Sequence, residues 1–104
     1  MKKIINGHKY DTDTAKVIDT YCNELPMSSL DYLCEKLYQK GNGEFFLHGY
    51  GGVRTAYANR VSYIVAPVCS GEDIIPMSLD EAKEWVSTHS TVDIYETLFG
   101  KVAE

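Results

Sequence analysis

Three histidines, three cysteines and two adjacent carboxylate pairs are the groups from which chemistry could be built in these 104 residues. The histidines His8, His48 and His89 fall in separate stretches, with no HxxxH or HxH spacing. A metal site would need tertiary convergence that such spacing does not supply, so each is read as an ordinary surface or half-buried imidazole. Cys22, Cys34 and Cys69 are odd in number and make no CxxC pair. They are read as small, reduced, buried hydrophobes. No GxSxG elbow places a serine beside a histidine. Adjacent carboxylates at Glu72-Asp73 point to opposite faces of a strand, and those at Asp80-Glu81 fall in a helix-capping turn. Neither pair suits acid–base work. Gly49-Tyr50-Gly51-Gly52 lacks both the GxxxxGK[ST] and GxGxxG patterns of phosphate loops. It is read as a stretch where backbone bends or approaches another group closely. The residues therefore give no reason to expect a catalytic group, a metal or a cofactor.

Arg54 and Arg60 are the only arginines, and they flank Tyr57. On a helix, spacings of three and six would bring all three near one face. Arginine with an aromatic is the composition of an interface hot spot or phosphate patch. A solvated loop is the plainer reading of the same residues.

The formal charge of −5 is uneven. Residues 72–104 hold eight carboxylates against two lysines, a charge of −6, so the first 71 residues carry +1. Such asymmetry points to a charged partner surface. The net acidity counts against the whole chain being a nucleic-acid binder. Eight tyrosines are many for this length, and tyrosine suits interfaces as well as cores. No apolar run approaches the roughly 20 residues of a membrane span. The opening MKKII has no apolar segment or cleavage site of a signal peptide, so one cytoplasmic domain, 1–104, is expected.

The elements that must position these groups can be read in outline. Leu37–Gly52, LYQKGNGEFFLHGYGG, is the central feature: a hairpin with its turn at Gly41-Asn42-Gly43. Phe45 and Leu47 should share one face, Phe46 and His48 the other, and the return strand should break at Gly49. Lys3–Ile5 and His8–Tyr10 flank Asn6-Gly7, a type I′ turn signal. Asp11–Thr14 could cap a helix whose apolar stripe is Ala15, Ile18 and Cys22, widened by Val17 and Tyr21 and stopped by Pro26. Tyr32–Gln39 should be extended, 53–60 a loop or short helix, and Val61–Val68 and Glu72–Ile75 strands. Ser78-Leu79-Asp80-Glu81 is a capping box, with Met77 and Ala82 as its hydrophobic staple. That helix should bury Ala82, Trp85 and Val86 and end near His89. Ser90-Thr91-Val92-Asp93 repeats the signal and starts another, with Val92, Tyr95 and Phe99 inward, Leu98 beside them and Gly100 closing it. The expected fold is α+β: an antiparallel sheet of two hairpins plus short strands, one N-terminal helix and two C-terminal helices.

Three stretches, KKIINGHKYDTDTA (2–15), LYQKGNGEFFLHGYGG (37–52) and EDIIPMSLDEAKEW (72–85), resemble a family of small proteins encoded on bacterial phages and mobile elements. Its signatures are close to K-I-I-(N/D)-G-x-x-Y-D-T-x-T-A, L-Y-x-x-x-x-G-x-(F/Y)-F-L-x-G-x-G-G and I-I-P-(L/M)-S-x-x-E-A-x-x-W. The segment 53–71 matches least. The resemblance implies a non-enzymatic, anti-CRISPR-like inhibitor.

Two functions follow as expectations. The first is an inhibitor that meets the basic surface of a host protein or ribonucleoprotein, such as a Cas9-type effector whose channels are positively charged. The carboxylates Asp80, Glu84, Asp93 and Glu96 would make that contact, with Arg54, Tyr57 and Arg60 as a second surface. The alternative is a nucleic-acid-binding accessory protein of a mobile element, using Lys2, Lys3, Lys9, Arg54 and Arg60.

Overall fold

Large apolar pairs fall on both faces of two neighbouring strands, Leu37 with Leu47 on one and Tyr38 with Phe46 on the other, so the sheet must be covered twice. The computed structural model describes residues 1–52, 55, 57, 59–60, 68–69 and 71–103, with 59–60 and 68–69 described as backbone. Strands β1 (Lys2–Ile5), β2 (His8–Asp11), β3 (Lys16–Cys22), β4 (Leu33–Gln39), β5 (Phe45–Gly51), β6 (Asn59–Arg60), β7 (Val68–Cys69) and β8 (Gly71–Met77) precede helices α1 (Leu79–His89) and α2 (Val92–Phe99). The main sheet has the order β3-β4-β5-β8 and is antiparallel throughout. The N-terminal hairpin does not join that sheet as expected: β1 pairs with β2, and β6 with β7, in separate two-stranded ribbons. The α+β class stands.

The central hairpin forms as its residues dictate. Leu37 pairs with Leu47, and Tyr38 with Phe46. Gly43 takes φ 94° in the turn, a conformation that costs a residue with a Cβ. Leu37, Phe45 and Leu47 point to one face, where they pack with Ala82, Trp85 and Val86 of α1. Tyr38 and Phe46 point to the other and pack with Tyr10 of β2 and Ile74 of β8. The helices thus cover one face and the β1–β2 ribbon the other. Asn6 and Gly7 both have positive φ, as the type I′ turn requires.

Four expectations are corrected. The N-terminal helix does not exist: Lys16–Cys22 is the edge strand β3. Asp11 makes a turn instead of a helix cap, its carboxylate accepting from the Asp13 amide at 2.9 Å. Val17, Ile18, Thr20 and Tyr21 are strand formers, and β4 pairs with all of them but Ile18. A register shift between Val17 and Asp19 lets Ile18 and Tyr21 both reach the helix-side core, as an apolar helical stripe would. β5 does not break at Gly49 but pairs on both sides through Gly51, because flanking ladders hold the glycines extended. Cys22 and Cys34 are not separate buried thiols. They are register partners, 4.1 Å apart at Cα, and form a disulfide. Finally, Val92 is 71% exposed, while Ile94, Tyr95, Leu98 and Phe99 form the half-buried face of α2. Ile94 and Leu98 stand four apart and point sheetward, which turns Val92 out.

The capping box is present: Glu81 N–H donates to Ser78 Oγ at 3.1 Å and Ser78 N–H to Glu81 Oε1 at 2.9 Å. Ser78's bond holds the Glu81 carboxyl below its usual range. Thr91, and not Ser90 as expected, caps α2 through the Ile94 amide, while Ser90 closes α1. Of the expected strand Val61–Val68, residues 61–67 lie outside the described residues. No described helix is long and apolar enough to cross a membrane.

Candidate functional site

The four carboxylates singled out from the sequence stand on the two C-terminal helices. Asp80 and Glu84 are four apart on α1, opposite the buried Ala82, Trp85 and Val86. Both are exposed, as is Asp93 in the first turn of α2. Glu96 is half-buried, and its Oε2 accepts the Val102 amide at 3.2 Å. The core-facing stripes therefore leave these carboxylates on the outer side of the helices. Asp93 departs from the group in one respect: it borders the depression between α2 and β3 that Lys16 and Ile18 also line. Over residues 79–103 there are five carboxylates and two lysines. Lys83 is drawn over the Phe99 ring at 5.7 Å.

Of the second expected surface, only the Tyr57 side chain is described, and it is buried. Tyr57 is 3% exposed. Its hydroxyl donates to Glu35 Oε2 at 2.5 Å, while Trp85 Nε1–H donates to Glu35 Oε1 at 3.1 Å. Burial, then the bond to Glu35, pushes the Tyr57 hydroxyl far above its usual pKa. A tyrosine so held is a clamp between the sheet and its own segment, not a solvent-facing anchor. Gly49 makes room for it: a Cβ there would overlap the Tyr57 ring. This is the close approach for which the glycine stretch is needed. Arg54 lies outside the described residues, and Arg60 is described only as backbone in β6. Asn59 and Arg60 are in a strand, and residues 53, 54, 56 and 58 of the expected loop or short helix lie outside the described residues.

The histidines are dispersed. His8 is exposed on β2. His48 Nε2 and Glu72 Oε2 share a hydrogen bond of 2.8 Å. His89 stacks on Tyr21 at 4.0 Å and lies 5.3 Å from the Trp85 ring. Among the described residues no three His, Cys, Asp or Glu side chains are grouped as metal ligands. Asp73 is not merely solvated: Lys3 Nζ reaches its carboxylate at 2.5 Å. Burial raises the Asp73 carboxyl, but the Lys3 and Ile74 hydrogen bonds outweigh it and leave its pKa lowered. Sequence reasoning missed both the His48–Glu72 and Lys3–Asp73 pairs. They depend on β5 pairing with β8 and on the N-terminal ribbon reaching the β8 edge, contacts with no local signal.

No protein-family model, curated protein or solved structure matches the chain.

Proposed function

We propose that this protein is a non-enzymatic binding protein that presents the outer side of α1 and α2 to a basic surface of a host protein or ribonucleoprotein. One observation carries the reading. Asp80, Glu84 and Asp93 are exposed on helices whose other sides are committed to the core. Exposed carboxylates gathered on one layer do little for stability, but they attract basic surfaces and speed association. The phage and mobile-element resemblance narrows the partner class to a complex that handles nucleic acid, with anti-CRISPR-like inhibition of a Cas9-type effector as the form of the activity. On this reading the protein works in the cytoplasm, where the Cys22–Cys34 disulfide would be exposed to reduction.

The nucleic-acid-binding alternative has weaker support, because Lys3 is paired with Asp73 and Lys9 lies 3.8 Å from Asp11. Affinity capture from host lysate, with the wild type beside a variant carrying Lys at 80, 84, 93 and 96, tests the proposal. A nucleic-acid-handling protein retained by the wild type and lost by the folded variant is expected. Equal capture by both would reject the acidic face. Binding of bare duplex DNA with a steep salt dependence would favour the alternative.

A further inference from the structure

The Cys22–Cys34 bond is placed to do less for the core than for the loop beyond it. The two cysteines face each other on the last rung of the β3–β4 ladder, and their bond closes the connection between the strands. Neither is part of the core cluster under the helices or the one under the ribbon. From Cys34 to Gln39, β4 is paired on both sides, so the sheet is held by its own ladders.

The loop is held unevenly. Its β4-side half is fixed to the main sheet: Gly52 N–H donates to the Tyr32 carbonyl at 2.8 Å, and a Cβ on Gly52 would overlap the Ser29 and Leu30 carbonyls. Its β3-side half hangs on Asn23. The Asn23 amide donates to the Leu33 carbonyl at 3.0 Å, its Oδ1 accepts the Leu33 amide at 3.1 Å, and its Nδ2 donates to the Asp31 carbonyl at 2.8 Å. Next to it Glu24 takes φ 65°, a left-handed conformation that a side chain disfavours and that persists only where the surroundings impose it. These hydrogen bonds lie at the end of an edge strand, where ladders fray, and the disulfide is the covalent tie beside them. Leu25 and Met27, 41% and 78% exposed, are the apolar side chains held outward by this half.

We propose that Cys22–Cys34 is a redox device. Closed, it fixes the Asn23–Met27 half of the loop and the display of Leu25 and Met27; open, it frees that half while the sheet stays folded. Cys22 is exposed and Cys34 is buried, so a thiolate of the glutathione class meets the Cys22 sulfur, and exposed bonds are the readily reduced ones. The S–S bond breaks, a mixed disulfide forms on Cys22, and Cys34 leaves as a thiolate that takes a proton. Lys36, two residues along β4 on the same face, favours that leaving thiolate. A second glutathione thiolate attacks the mixed disulfide and releases Cys22, which takes the second proton. The chain gains two electrons and two protons, and two glutathiones leave as one oxidised disulfide. The device stands apart from the acidic face, and either can fail without the other.

Backbone NMR order parameters of the full chain, measured with the bond closed and again in reduced glutathione, test it. Thiol alkylation under denaturing conditions defines the two states by mass: of three cysteines two are in the bond, so one thiol is expected before reduction and three after. On reduction the order parameters of Asn23, Glu24, Leu25 and Met27 are expected to fall from about 0.85 to below about 0.6, while those of Leu37, Phe46 and Leu47 stay near about 0.85. Cys22→Ser should show the mobile loop without reductant, and glutathione should not change it further. A bond that reduced glutathione leaves closed, or whose opening leaves the loop as ordered as before, would overturn the device. Loss of the dispersed β4 and β5 signals on reduction, or in Cys22→Ser, would overturn it as well, by making the bond a staple of the sheet.

Discussion

The two covers of the sheet solve one problem in opposite ways. The β1–β2 ribbon brings Tyr10 to lie edge-on to Phe46, 5.5 Å between ring centres, while Phe46 stacks on Tyr38 at 5.1 Å. That cover is cationic at its surface, with Lys2 and Lys9 exposed. The helical cover seats α1 with three buried residues and α2 with none. It is acidic at its surface. Both covers are possible because β4 and β5 are apolar on both faces. They differ in completeness: the ribbon spends its aromatic residue on the sheet, whereas α2 is only half committed and keeps Val92 outside. A partly docked amphipathic element is where apolar surface is left for a partner.

The largest expected effects probe the two cores directly. Phe46 and Leu37 are both fully buried, one under each cover. Phe46→Ala should cost about 3–5 kcal/mol and Leu37→Ala about 2–5 kcal/mol in urea denaturation. A loss below about 1 kcal/mol for Phe46→Ala would show that the ribbon is not part of the cooperative unit. Gly49→Ala should cost about 1–3 kcal/mol by overpacking against Tyr57. In a Tyr57→Ala background that cost should disappear; if it persists, the clamp is not the cause.

The caps separate the two helices. Ser78→Ala should cost on the order of 1 kcal/mol. Thr91→Ala should lower global stability less, because α2 buries no residue fully and its fraying exposes little. Equal losses would mean that both helices are equally committed.

Charge changes should have the smallest effects. Glu84→Lys is expected to stay within about 0.5 kcal/mol of wild type. Asp80→Lys and Asp93→Lys should each lose about 0.3–1 kcal/mol, because both stand at the positive N-terminus of a helix. Asp73 sets a pH dependence of known sign. Its pKa is lowered by folding, so its contribution is complete above the ordinary carboxylate range and is lost as pH falls through the lowered value. Asp73→Asn should flatten that acid limb in a denaturation-midpoint series, and an unchanged slope would assign the limb to other carboxylates.

What was legible in the sequence was local. Asn6-Gly7, the Lys40–Glu44 turn and the Ser78–Glu81 box each specify their geometry within a few residues, and all three are present. What was not legible depended on partners. Residues 15–22 carry cues for a helix and for a strand, and the free edge of β4 decides between them. The Cys22–Cys34 bond, the His48–Glu72 pair and the Tyr57–Glu35–Trp85 clamp each join different elements, so no spacing rule announces them. The acidic residues of the candidate site could be named because charge is a property of residue type. The exposure of Val92 could not, because Val92 reads as core until Ile94 and Leu98 take that place.

The strand order β3-β4-β5-β8 has a consequence for the chain as it is made. β4 and β5 can zip together as soon as the Lys40–Glu44 turn leaves the ribosome, since that pairing is local. The far edge of β5 waits for β8, and Leu37, Phe45 and Leu47 wait for α1, all encoded after residue 70. A nascent chain of about this length therefore shows a bare apolar sheet face and an open strand edge, the surfaces on which chaperones and unwanted neighbours act. The capping box at Ser78 lies directly after β8, so the stretch that closes the edge also starts the helix that covers the face.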